Sequence, residues 1–166
     1  MFFWFAGLTL VSVVAIFASP AIDYRLVLVG SVFPVIEVAL GGPWVMHTLA
    51  FPCVVLALVM ILGRGRRLVQ RRWLGLAIGL FFYLVFDGAW ARTELFWWPA
   101  FGLSVDDADL PGLEPVWALV VMEVVGAGCL LWAWRSYGLS ETTHRETFLR
   151  TGRLPRSALR GEPPSC

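Results

Sequence analysis

Formal charges along the chain are gathered into clusters separated by long apolar runs. Residues 1–22 carry none, 38–63 carry only His47, 73–86 carry none, and 115–134 carry only Glu123. Runs of this length suit helices that cross a hydrocarbon layer roughly 30 Å thick. The pattern predicts an all-α polytopic membrane protein, a bundle of about five transmembrane helices within residues 1–138. The expected spans are 1–19, 26–40, 43–63, 73–91 and 116–135. Pro20 and the Asp23-Tyr24-Arg25 cluster separate the first two. Gly41-Gly42-Pro43 separates the second and third so tightly that a helical hairpin is expected. GRGRRLVQRR lies between the third and fourth, and a longer acidic segment lies between the fourth and fifth.

Arginine placement gives an expected orientation. The 64–72 loop holds Arg64, Arg66, Arg67, Arg71 and Arg72 with no acid, and the stretch from Arg135 onward is also Arg-rich. The positive-inside rule places both in the cytoplasm. The segment between the last two spans carries Glu94, Asp106, Asp107, Asp109 and Glu114 against Arg92 alone. Five spans with the C-terminus inside put the N-terminus outside. The first span lacks a positive n-region and an A-x-A-like site, so it is expected to be a retained helix. Residues 139–166 are expected to form a cytoplasmic Arg-rich tail. Either it is solvated, or it contains a short helix around Phe148 and Leu149 that lies on anionic lipid or docks a protein partner.

Composition supports the membrane expectation: 58% of residues are hydrophobic and the mean hydropathy is +0.74. The net charge of +1 adds little. Cys53, Cys129 and Cys166 form no CxxC pair and read as two buried hydrophobes and a tail thiol. No Gly-rich phosphate loop, HExxH, GxSxG or nucleic-acid signature is present, and no nucleic-acid partner is expected. The DDAD run at 106–109 lacks the glycine turn and terminal Glu of an EF-hand.

Ionisable residues inside the apolar spans carry the candidate chemistry. The expected topology puts Glu37, His47 and Asp87 each about one turn from the outer surface, with Tyr83 a turn below Asp87. It puts Glu123 roughly 10 Å below that surface at about 1.5 Å per residue. Charged groups at such depths face inward and find partners. Three readings are open. A His with two or three carboxylates suits a divalent metal, which would activate a bound water. The same groups suit structural glue, with Glu37 or Asp87 bonded to His47, or Asp87 paired with Arg92. They also suit an ion or proton path.

The order of features resembles a family of bacterial integral-membrane metal-dependent hydrolases, the LexA-regulated inner-membrane YdjM type. Its members tend to show GxxxPDxD, then HRGxTHS, then GYxSHxxxD and a loop ending in Trp-Pro. Here GSVFPVIE at 30–37, GPWVMHT at 42–48, GLFFYLVFD at 79–87 and ELFWWP at 94–99 are similar, over roughly residues 26–101. His47 and Asp87 match identically, and Glu37 stands for an Asp. Val35, Gly42, Met46 and Tyr83 depart from the pattern.

The resemblance implies a multi-pass protein of the bacterial cytoplasmic (inner) membrane. It implies hydrolysis of an ester or phosphoester at the outer face, with one divalent metal, zinc or manganese, held by Glu37, His47 and Asp87. Glu123 or Tyr83 would serve as acid–base groups. With half of the ligands replaced, a relative without metal or activity is equally implied. The competing expectation is a non-catalytic membrane subunit with a stabilising polar cluster and a partner-docking tail. A small transporter is disfavoured by the lack of inverted repeats.

Overall fold

A computed structural model describes residues 1–40, 45–89, 96–99 and 115–154. The described elements are helical: α1 (Phe2–Phe17), α2 (Tyr24–Val32), α3 (Val35–Leu40), a 3-10 turn (Val45–His47), α4 (Ala50–Leu62), α5 (Arg67–Phe86), α6 (Val116–Ser136) and α7 (Thr142–Thr151). The all-α expectation stands. The five-span bundle does not.

Its failure has a local cause. The expected span 26–40 is cut at Pro34, whose ring displaces the carbonyl four residues back and which has no N–H to donate. The pieces are 9 and 6 residues long, or roughly 14 and 9 Å. The expected span 43–63 begins with a 3-10 turn and becomes α-helical only at Ala50. Thr48 directs that start, because its N–H and its hydroxyl both donate to the Val45 carbonyl, at 3.2 and 2.7 Å. The resulting α4 has 13 residues, roughly 20 Å. Helix α1 has 16, roughly 24 Å, and ends at Ala18, whose backbone is left-handed (φ 41°). Among the described residues, Arg67–Phe86 and Val116–Ser136 are the two helices long and apolar enough to cross a membrane. The orientation and the inner-membrane, multi-pass placement came from counting five spans, and they are withdrawn with that count.

The charged 64–72 segment also differs from expectation. Helix α5 starts at Arg67 and carries Arg71 and Arg72 on its body. The segment after 139 is partly ordered against the bundle. Helix α7 ends at Gly152, whose carbonyl accepts the Tyr24 N–H at 2.8 Å, and Leu154 is buried. The Gly41-Gly42-Pro43 break, Arg92, Glu94, the DDAD run and residues 155–166 lie outside the described residues.

Two helix pairs make the frame: α2 packs along α5, and α1 along α6. Glycine permits both. A Cβ on Gly79 would strike the Val27 carbonyl, and one on Gly126 would strike the backbone of Phe3 and Trp4. Backbones this close gain dispersion contacts along both helices. The larger core cluster joins Leu10, Val13, Tyr24, Val27, Ala133 and Leu154. A smaller one gathers Phe5, Tyr83, Leu84 and Ala89, with Val35 and Phe96 against it. The smaller cluster encloses the candidate site.

Candidate functional site: a carboxylate–imidazole–phenol chain

Three elements supply one hydrogen-bonded chain. Glu37 comes from α3, the short helix that Pro34 sets off from α2. Its Oε2 lies 3.0 Å from His47 Nδ1, and the Met46 N–H donates to the same carboxylate, at 3.1 Å to Oε2. His47 closes the 3-10 turn. Its Nε2 lies 2.9 Å from Tyr83 Oη on α5. His47 and Tyr83 are each 1% exposed, and the Glu37 side chain is 12% exposed. The Phe5 ring covers Tyr83 at a centroid distance of 4.4 Å, and the imidazole meets the phenol edge-on at 5.4 Å.

The partners constrain the hydrogen-bond pattern. A carboxylate can only accept, so an ionised Glu37 takes a hydrogen bond from His47 Nδ1. The bond between Nε2 and the Tyr83 hydroxyl can run in either direction, according to the tautomer of the ring. Either way both ring nitrogens have a partner, as buried groups require. Chemically the chain can orient an imidazole, and it can shift a proton between phenol and carboxylate. Both ring nitrogens are engaged by protein groups.

A metal ligand needs an imidazole nitrogen with a free lone pair, and here Nε2 faces a phenol while Nδ1 faces a carboxylate. Asp87 is the C-terminal cap residue of α5, and its N–H donates to the Tyr83 carbonyl at 2.8 Å. Among the described residues, no group of three or more His, Cys, Asp or Glu side chains could hold an ion. The structure brings Glu37 and His47 together but does not complete a metal set with Asp87. With no such group present among the described residues, the metal-dependent hydrolase expectation is corrected. The structural alternative had Glu37 or Asp87 bonded to His47, or Asp87 paired with Arg92, and of these the Glu37–His47 bond is present.

Glu123 has other partners. Its carboxylate accepts the Phe3 N–H at 2.9 Å and pairs with the Met1 amino group at 2.5 Å. It therefore caps the start of α1, where unsatisfied N–H groups and the helix dipole favour an anion.

Sequence reasoning passed over Asp23. It caps α2, accepting the Arg25 N–H at 3.2 Å, and its Oδ2 holds Arg25 Nη2 at 3.1 Å and Arg72 Nε at 3.0 Å. The carboxylate is buried. Burial, the largest single influence, pushes its pKa up. The hydrogen bonds and charge of Arg25, with the bond from Arg72, outweigh burial and hold it below the ordinary value. An Asp directly before a helix start, followed two residues on by Arg, was the available signal.

No family model, curated protein or solved structure matches the chain, so the resemblance to the YdjM-type hydrolases rests on the quoted residues alone.

Proposed function

We propose that Glu37–His47–Tyr83 is a polar clasp that fixes the turn before α4 onto α5, and that the protein acts by binding, with a lipid bilayer as its partner. The observation that carries the clasp is the engagement of both imidazole nitrogens by protein groups at sites closed to solvent. A reactant or ion would first have to break one of these bonds and leave a buried polar group unpaired, at a cost of about 1–3 kcal/mol.

The bilayer is supported by α5 and α6. Among the described residues, these are the two helices long and apolar enough to cross a membrane. Val116, Trp117, Val120, Val121, Val124 and Leu131 leave α6 broadly exposed. A continuous apolar face of this kind marks an interaction surface.

The test is flotation of the purified full chain with phosphatidylcholine vesicles. Co-migration with lipid at high salt is the expected result. Protein that stays at the bottom of the gradient, in a folded state, overturns the bilayer reading.

A further inference from the structure

A cavity of about 430 Å³ opens between the start of α2, the first turns of α5 and the end of α7. The volume falls at the lower end of the range for small-molecule sites, roughly 300–1,000 Å³. Arg71, Arg72, Arg150 and Arg153 line it, with Asp23 as its acidic residue. Arg25 and Arg72 already pair with Asp23. Among the described residues, Arg71, Arg150 and Arg153 are exposed and have no carboxylate partner.

The frame around these arginines is fixed. Arg25 Nη1 donates to the Leu149 carbonyl at 2.6 Å, and Tyr24 N–H donates to that of Gly152 at 2.8 Å. The end of α7 is thereby tied to the start of α2, and Arg150 and Arg153 line the same cavity as Arg71 and Arg72. Converging cations raise the local potential and attract an anion. Guanidinium groups match phosphate geometry through paired N–H donors. Leu68, 77% exposed, and Val69 lie on the same wall one turn before the arginines. They offer apolar surface beside the charge.

We propose that this cavity binds a phosphate group, carried by a lipid headgroup or supplied as free phosphate, through Arg71, Arg150 and Arg153. Arg72 bridges the site to Asp23, so the same residue couples the cavity to the α2 cap. The site is independent of the Glu37–His47–Tyr83 clasp.

Calorimetric titration of the full chain in a non-ionic detergent tests this, with inorganic phosphate as one probe and short-chain phosphatidic acid in the same micelles as the other. Binding of both identifies phosphate itself as sufficient. Binding of phosphatidic acid alone identifies the lipid source. In either case the Arg150→Gln/Arg153→Gln variant should weaken binding roughly tenfold or more. The charge-matched Arg64→Gln/Arg66→Gln variant, whose positions do not line the cavity, should stay within about twofold. Should the α7 pair lower the melting temperature, Arg71→Gln serves as the second variant, with the same loss expected. Failure of both probes to bind, or equal weakening in the cavity and control variants, overturns the proposal.

Discussion

His47 Nε2 and Tyr83 Oη meet at 2.9 Å, with both residues 1% exposed, and this bond links the turn before α4 to the body of α5. Tyr83→Phe keeps the ring against Phe5 and removes only the hydroxyl. It strands His47 Nε2 in the core and should cost about 1–3 kcal/mol of stability. Glu37→Gln retains an acceptor for the Nδ1–H and should cost less than Glu37→Ala. Thermal melting of the four proteins checks the order. A Tyr83→Phe protein as stable as wild type would contradict the clasp.

Gly126 and Gly128 sit two residues apart on α6 and should respond in opposite senses. A Cβ at Gly126 meets the backbone of Phe3 and Trp4, whereas nothing lies within 4 Å of one at Gly128. Gly126→Ala should push α1 off α6 and cost about 1–3 kcal/mol or more. Gly128→Ala should stabilise by up to about 1 kcal/mol through helix propensity. Melting temperatures moving in the same direction would refute the packing of α1 on α6.

Asp23 should govern the acid limb of stability. Its folded pKa is held below the ordinary 3.8. Its contribution is therefore complete above the unfolded value and is lost as pH falls through the folded one. Wild type should exceed Asp23→Asn in melting temperature at neutral pH, and the gap should close as pH falls below the ordinary carboxylate range and through the lowered folded value. A gap that stays constant with pH would show that the Arg25 and Arg72 bonds do not set the shift.

The exposed face of α6 should determine lipid association. Val120→Glu with Val124→Glu places two charges on that face and should abolish flotation with neutral vesicles. The same pair of changes should leave the helix content measured by circular dichroism intact. Unchanged flotation would assign lipid binding to another element.

The sequence made some of this legible and hid the rest for physical reasons. Apolarity over 116–135 located α6 almost to the residue, since nothing in that stretch interrupts a helix. Over 26–40 the same apolarity misled, because hydropathy does not register the lost N–H of Pro34. The proximity of Glu37 and His47 was foreseeable from their positions on either side of one sharp break. That His47 would use its second nitrogen on Tyr83 was not foreseeable from spacing. It depends on how α5 rotates against the turn, which the Gly79–Val27 contact and the Phe5 ring settle. That Glu123 would bond the start of α1 was not foreseeable, because depth does not say which neighbour a side chain meets. Asp23 was passed over because a charge beside a loop looks solvated until the arginines that bury it are located.

The nitrogen chemical shifts of the His47 imidazole, recorded by NMR on labelled full chain with and without added zinc, test the clasp most directly. The account predicts a ring with both nitrogens in hydrogen bonds, and no change on adding zinc. Loss of that pattern in Tyr83→Phe alone would assign the Nε2 partner. A zinc-dependent shift at Nε2 in the wild-type protein would contradict the clasp, since it would mean that the Tyr83 hydroxyl yields its place to a metal.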